Sequence, residues 1–246
     1  MPNKRIRIFA GPNGSGKSSL FQEFSKIYAT GPFVNADEIE IKLITKGLID
    51  LKELGLNVTQ KDLDAFSVLP FSVSLLEKAH EANHPIDVII SENCIVDRSK
   101  ESHSYEASYV ASFIRHMLIE QHKSFSFETV MSHESKIGEI ADLTEKGYLP
   151  YLYFVCIDDP EVNISRVANR VEKGGHPVSE KKIVERYART LSLLHQMLPL
   201  CHRAYLFDNS GKKQIMIAEL YNGAMELKTD KPPQWFIDYV LPYYTN

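Results

Sequence analysis

The residue types best suited to chemistry begin near the N-terminus of this 246-residue chain, in a glycine-rich segment at residues 11–19. The segment matches G-x-x-x-x-G-K-[ST] in full, between a short apolar run and a helical pattern. Glycines let backbone N–H groups turn toward an anion, and the following helix presents its positive end to phosphates. The predicted nucleoside-triphosphate site comprises Gly11, Pro12, Asn13, Gly14, Ser15, Gly16, Lys17, Ser18 and Ser19.

Two side chains of this segment have predicted roles toward the triphosphate and its metal ion. Lys17 is expected to reach the β- and γ-phosphates, and the Ser18 hydroxyl is expected to bind Mg²⁺. An Asn-Lys-x-Asp motif, which would read guanine in a GTPase switch, is absent from the sequence. The apolar run 151–157 ends at Asp158 and Asp159, as in a mechanical ATPase, but the following Pro160 favours Asp159 as a helix cap. A kinase is therefore the preferred class.

A kinase needs a base near the acceptor, and Asp37 is the preferred candidate. It follows a short strand at residues 33–35, and the carboxyl ends of parallel strands meet at the edge that carries the phosphate loop. The alternative is a helix cap for Glu38 onward, and both roles can coexist. Glu128 and Thr129 follow a strand at 125–127 and could hold an acceptor or a metal-bound water. A carboxylate that merely pairs with an arginine is the alternative for Glu128.

Arginines in the C-terminal half could stabilise the transferring phosphoryl group. Arg166 and Arg170 are four residues apart on one predicted helix, and Arg186 lies on the next one. The glycines of the segment 174–176 separate the two helices, which predicts a closing lid over residues 160–195. The alternative is a solvated face on which these arginines pair with glutamates.

Strands that alternate with helices must position these side chains. The predicted strands cover 6–10, 33–35, 125–127, 151–157 and 204–207, and the predicted helices include 107–121, 134–146, 161–172 and 179–197. This alternation predicts an α/β fold: one P-loop kinase-like domain over residues 1–246, with about five parallel strands and flanking helices.

Two segments depart from the alternation. Residues 45–103 combine a helical region with a small hairpin, so we interpret them as an insertion that governs acceptor choice. Residues 212–246 contain a second hairpin around Asn222-Gly223, a pair that tolerates the positive φ angles of a tight turn, and then a short helix at 235–240.

Composition limits the classes of partner. The chain is 43% hydrophobic and 24% charged, with a formal net charge of −4, which is typical of a globular protein rather than one that wraps nucleic acid. Three cysteines far apart in the sequence predict neither a disulfide framework nor a metal knuckle, which fits a cytoplasmic protein. No apolar run approaches the roughly 18 residues of a spanning helix, so no membrane association is expected.

Taken in order along residues 5–211, the motifs resemble the zeta toxin-like P-loop kinases. Besides residues 11–18, the matching motifs are Asn35-Ala36-Asp37-Glu38-Ile39, Phe127-Glu128-Thr129 with Ser132, Gly147-Tyr148, Arg166-Val167, Arg170-Val171, Gly174-Gly175-His176-Pro177-Val178, Arg186-Tyr187 and Phe207-Asp208-Asn209-Ser210. The order and number of these motifs, rather than any one beyond the phosphate loop, make the resemblance specific.

The resemblance implies that the cofactors are ATP and Mg²⁺, and that the γ-phosphate passes to a sugar hydroxyl of a UDP-activated amino sugar. It assigns phosphate binding to Lys17, the catalytic base to Asp37 and sugar binding to Glu128 and Thr129. The lid arginine corresponds to Arg166, Arg170 or Arg186. A protein antitoxin that blocks the nucleotide site is the implied partner.

Two other functions remain open at this point. One is a kinase for another nucleotide, nucleoside or antibiotic hydroxyl, and the other is a nucleotide-dependent interaction module without catalysis. Asn209, near the end of the last parallel strand, could contact adenine or cap the next turn.

Overall fold

The computed structural model describes residues 4–99, 104–175 and 177–244. Contacts divide the chain into two compact units, one formed by Met1–Thr30 with Ser126–Asn246 and the other by Gly31–Phe125. The second unit contains the predicted insertion 45–103 but begins before it and ends after it. The single domain with an insertion therefore stays a prediction.

The first unit is built on a sheet of the strands β1 (Lys4–Ala10), β6 (Phe125–Thr129), β7 (Tyr148–Cys156), β8 (Arg203–Asp208), β9 (Ile215–Tyr221) and β10 (Ala224–Leu227). These strands are ordered β10-β9-β8-β7-β1-β6. β7 pairs in parallel with both β1 and β8. β9 pairs antiparallel with β8 on one side and with β10 on the other. This arrangement confirms the predicted α/β class with a parallel core and a C-terminal hairpin.

Five α-helices lie among the described residues of the first unit. They are α1 (Lys17–Ser25), α6 (Ser135–Glu145), α7 (Pro160–Glu172), α8 (Glu180–Met197) and α9 (Gln234–Tyr239). The strand interiors are apolar, with Ile6, Leu152 and Leu206 fully buried, because a parallel sheet excludes water from both faces. At the C-terminal hairpin Asn222 and Gly223 have φ angles of 51° and 78°, so the predicted tight turn is confirmed.

The second unit combines helices with a small antiparallel sheet. Its elements are β2 (Phe33–Val34), α2 (Ala36–Lys46), β3 (Leu48–Asp50), α3 (Gln60–Ser67), α4 (Pro70–Glu81), β4 (Val88–Ser91), β5 (Cys94–Asp97) and α5 (Ser104–Glu120). The small sheet is ordered β3-β5-β4. α5 buries one apolar residue after another, among them Val110, Phe113 and Ile114, and it packs against α2. That packing explains why the unit extends beyond residues 45–103 on both sides.

Candidate active site

The phosphate loop lies between β1 and α1, and three of its glycines adopt conformations that side chains disfavour. Gly11, Gly14 and Gly16 have φ angles of 140°, 74° and 106°. A Cβ atom on Gly11 would overlap the Val155 carbonyl oxygen, and one on Gly14 would lie 2.7 Å from the Asn163 carbonyl oxygen. The glycines are therefore required by close backbone approach as well as by φ.

Lys17 and Ser18, the first two residues of α1, meet one carboxylate at the end of β6. The Lys17 ammonium is 6% exposed, donates to the Pro12 carbonyl oxygen at 2.9 Å and lies 3.7 Å from Glu128 Oε1. The Ser18 hydroxyl donates to Glu128 Oε2 at 2.8 Å. The site thus joins a buried cation, a hydroxyl and a carboxylate at the N-terminal end of a helix, where free N–H groups favour an anion.

Glu128 and Thr129 differ slightly from the predicted arrangement, because β6 runs on through both residues instead of ending at Phe127. The Thr129 hydroxyl oxygen accepts a hydrogen bond from the Met131 N–H at 3.1 Å. Met131 has a φ of 58°, so this bond supports a turn directly after the strand. The assignment of both side chains to an acceptor stays a prediction.

The Ser18–Glu128 pair fits a magnesium site in its chemistry. Mg²⁺ prefers hard oxygen ligands and usually takes only one or two from the protein, with the others coming from phosphates and water. Among the residues that the structure describes, no group of three or more His, Cys, Asp or Glu side chains forms a metal cluster. A site of two protein oxygens beside a phosphate loop matches this preference.

Asp37 lies in the second unit as the second residue of α2 and is half-buried. The helix is capped by Asn35, whose Oδ1 accepts from the Asp37 N–H at 2.8 Å and from the Glu38 N–H at 3.4 Å. The alternative of Asp37 as the helix cap is therefore wrong, since an asparagine two residues earlier satisfies the first turn. Its role as a base stays a prediction.

The predicted lid arginines have three different environments. Arg166 Nη2 donates to the Asn209 carbonyl oxygen at 3.1 Å. Arg170 packs beneath Gly175, where an added Cβ would lie 2.6 Å from Arg170 Cγ. Arg186 is partly exposed and makes no hydrogen bond or ion pair to any described residue. His176, between the two glycines and α8, lies outside the described residues.

Both predicted lid helices are hydrogen-bonded to loops that follow strands of the sheet. Asn163 of α7 donates to the Asn13 carbonyl oxygen in the phosphate loop at 2.6 Å. Tyr187 of α8 donates to the carbonyl oxygens of Ile157 and Asp158, and burial raises the pKa of this hydroxyl above its ordinary value. Thr190 donates to the Val130 carbonyl oxygen at 2.9 Å. Lid motion stays a prediction, and it would be centred on the exposed corner between the helices.

The two aspartates after β7 have structural partners. Asp159 is the N-cap of α7 and accepts from the Glu161 N–H at 2.9 Å, which confirms its predicted capping role. Asp158 accepts from the backbone N–H of Trp235 at 2.8 Å and thereby holds the start of α9. This use of both carboxylates agrees with the interpretation that the segment is not the water-activating strand of a motor ATPase.

Sequence reasoning missed the contact of two asparagines with the phosphate loop. Asn209 Nδ2 donates to the Ser15 carbonyl oxygen at 2.7 Å, so neither predicted role of this side chain describes the bond that it makes. Asn163, which binds the loop from α7, is fully buried. The only sequence signal for Asn163 was its place four residues before Val167, on the face of α7 that turns inward.

Comparisons with known protein families and sequences find little that is similar to this chain. No protein-family model matches the chain. A stretch of 72 residues is 33% identical to an uncharacterised protein of Haemophilus influenzae, which amounts to 29% of this chain and 51% of that protein. The chain therefore spans about half the length of this curated relative.

Solved structures resemble nearly the whole chain at low sequence identity. A chain of the AvrRxo1-ORF1:AvrRxo1-ORF2 complex with sulphate ions matches with a TM-score of 0.55 and 15% identity, covering 92% of this chain and 61% of that one. The same complex with ATP matches at 0.50 and 14%, with the same coverage. A chain of the PezAT toxin–antitoxin system of Streptococcus pneumoniae matches at 0.52 and 12%, covering 99% and 79%.

The chain shares the fold of these AvrRxo1 and PezAT chains. The resemblance stated from the sequence motifs is thereby confirmed at the level of the fold. Within the described residues, no helix has both the length and the apolar character needed to cross a membrane.

Proposed function

We propose that the protein is an ATP-dependent small-molecule kinase of the zeta toxin type. The observation that carries the proposal is the cluster of Lys17, Ser18 and Glu128 at the end of the phosphate loop, with distances of 3.7 Å and 2.8 Å to the carboxylate. A buried ammonium beside two side-chain oxygens that can bind a metal ion suits a metal-bound triphosphate better than it suits a neutral ligand.

The chain's own residues divide the work of binding and positioning the nucleotide. The N–H groups at the start of α1 face an anion, and Lys17 neutralises charge at the β- and γ-phosphates. Ser18 and Glu128 would hold Mg²⁺, which supplies charge neutralisation at the phosphate oxygens when it is bound. One of Arg166, Arg170 and Arg186 would contact the transferred group. Arg186 is the best placed of the three to move, because it has no partner among the described residues.

Asp37 is the proposed base that accepts the proton of the acceptor hydroxyl. Because Asn35 caps α2, the Asp37 carboxylate is not needed to satisfy the first turn of the helix. Thr129 and Glu128 would help to hold the acceptor, which we propose to be a UDP-activated amino sugar or a similar metabolite. This substrate rests on the family resemblance.

A protein antitoxin is the proposed partner, and the cytoplasm is the proposed location. Two of the structural neighbours come from the AvrRxo1-ORF1:AvrRxo1-ORF2 complex and from the PezAT toxin–antitoxin system, which supports a partner of this kind. The whole-chain activity and any partner remain proposals, because this chain covers 61% of the AvrRxo1 chain that it matches.

The deciding experiment supplies the purified protein with Mg²⁺ and ATP labelled at the γ-phosphate, together with a panel of UDP-amino sugars, nucleosides and hydroxylated antibiotics. We expect label on a UDP-amino sugar. Label on a nucleoside or an antibiotic alone would replace the proposed acceptor. ATP binding without transfer to any acceptor would point to a nucleotide-dependent interaction module.

Asp37→Asn tests the mechanism within the same assay. General-base contributions are typically about 10²–10⁴-fold, so transfer should fall by that order while ATP affinity changes little. Asp64→Asn is the matched control, since it makes the same charge change at an exposed position of α3 in the same unit. A rate of phosphoryl transfer by Asp37→Asn within fivefold of wild type would refute the catalytic role of Asp37 and make Glu128 the next candidate base.

A further inference from the structure

Two asparagine side chains bind the phosphate loop from different elements of the first unit. Asn163 Nδ2, from α7, donates to the Asn13 carbonyl oxygen at 2.6 Å. Asn209 Nδ2, directly after β8, donates to the Ser15 carbonyl oxygen at 2.7 Å. The two bonded carbonyls are two residues apart, so the bonds hold alternate peptide groups of one short loop.

Each asparagine is itself held in place. Asn163 is fully buried, and its backbone lies so close to Gly14 that a Cβ there would be 2.7 Å from the Asn163 carbonyl oxygen. The Asn209 N–H donates to the Cys156 carbonyl oxygen at 2.8 Å, and its own carbonyl oxygen accepts from Arg166 Nη2 at 3.1 Å. The donors are therefore fixed relative to the sheet, and they can fix the loop in turn.

Because a peptide group is planar, these two hydrogen bonds also fix the direction of two backbone N–H groups of the loop. The carbonyl of Asn13 and the N–H of Gly14 belong to one planar trans peptide group and point in opposite directions, as do the carbonyl of Ser15 and the N–H of Gly16. The N–H groups of Gly14 and Gly16 donate to no described residue. Holding each carbonyl toward an asparagine therefore turns the paired N–H toward the opposite side, where a phosphate would bind.

We propose that Asn163 and Asn209 are positioning residues of the nucleotide site, which act through the 13–14 and 15–16 peptide groups to aim two backbone donors at the phosphates. In this arrangement Arg166 acts on the nucleotide through Asn209 rather than by touching the γ-phosphate. The inference rests on the proposed nucleotide site and extends it to residues outside the phosphate-loop motif.

Calorimetric titration of the full chain with ADP and with ATP, each with Mg²⁺, tests the proposal. Asn209→Ala and Asn163→Ala should each weaken the binding of both nucleotides by about tenfold or more, because a peptide group whose carbonyl has lost its hydrogen bond is free to rotate. Ser165→Ala is the matched control on α7, since Ser165 is exposed and bonds only within its own helix. The Ser165→Ala variant should bind ADP and ATP as tightly as wild type does.

A merely structural role predicts a different result. In that case Asn209→Ala would lower the melting temperature of the nucleotide-free protein while the folded protein bound ADP as tightly as wild type, and this outcome would overturn the proposal. Asn209 is partly exposed, so its variant remains informative if Asn163→Ala fails to fold. A wild-type protein that bound neither nucleotide would refute the proposed function, whereas wild-type binding with unaffected variants would refute the positioning role alone.

The indirect role proposed for Arg166 is tested by comparing its effects on ADP and ATP affinity. Arg166→Ala should weaken ADP and ATP by the same factor, and Arg166→Ala with Asn209→Ala should cost less than the product of the two single effects, because both act through one contact. A loss confined to ATP, with additive effects in the double variant, would show a direct γ-phosphate contact and would overturn this part.

Discussion

The phosphate loop and the corner between α7 and α8 are both glycine-containing bends of the first unit, yet their surroundings differ. In the loop, side chains on Gly11, Gly14 and Gly16 would each collide with a neighbour. At the corner, Gly174 also has a positive φ, of 85°, but an added Cβ would meet nothing within 4 Å.

This difference separates two uses of glycine. In the loop glycine permits close approach, so that neighbouring backbone and the two asparagines can hold the peptide groups. At the corner glycine only permits the chain to turn after a helix, as it often does at helix C-termini. The sequence alone predicts that the glycines of the loop turn backbone N–H groups toward an anion and that those of the corner let a lid close, but it does not distinguish a packed bend from an open one. Substitutions can test whether the loop is held while the corner is open.

Lys17→Ala is expected to have the largest effect on nucleotide binding. Alanine removes the buried ammonium and leaves the β- and γ-phosphates facing neutral N–H groups alone, so ATP affinity should fall by about 100-fold or more. Titration calorimetry measures it. ATP affinity and turnover both within twofold of wild type would refute the assignment of the loop.

Gly11→Ala is expected to have the next largest effect and to act on folding. The new Cβ would overlap the Val155 carbonyl oxygen, a backbone atom of β7 that cannot move without disturbing the sheet. We expect a loss of several kcal/mol, or about 10 °C in melting temperature followed by circular dichroism. A melting temperature within about 2 °C of wild type would show that the loop is not held as described.

Gly174→Ala is expected to have the smallest effect. Its Cβ enters open space, so the only cost is the positive φ, which is about 1 kcal/mol and corresponds to about 2–4 °C. ADP affinity should not change. A drop as large as that of Gly11→Ala would remove the contrast between the two bends and indicate a packed corner.

Gly175→Ala provides a matched comparison at the neighbouring position. Its Cβ would lie 2.6 Å from Arg170 Cγ and 2.9 Å from the Arg170 carbonyl oxygen, so it should destabilise the protein more than Gly174→Ala does. Equal melting temperatures for the two variants would show that the corner yields easily and that Arg170 has room to move.

Much of the fold follows from local sequence signals. The phosphate loop, the Asp159 cap before Pro160 and the Asn222-Gly223 turn each depend on residues close together in the chain, so their patterns predict them. The hydrogen bonds of Asn163 and Asn209 to the loop span 150 and 194 positions, and no local pattern encodes such pairs. The extent of the second unit was missed for the same reason, because it depends on α2 packing against α5.

The carboxylate of Asp208, at the end of β8, contacts the one tryptophan of the chain. Trp235 is the single tryptophan of the chain, it is 2% exposed, and its indole N–H donates to Asp208 Oδ1 at 3.1 Å. Asp208 directly precedes Asn209, so the chain's one tryptophan is bonded to the neighbour of the residue that holds the loop. Its fluorescence, excited at wavelengths that tyrosine does not absorb, can therefore report a shift of this strand end on nucleotide addition without any label.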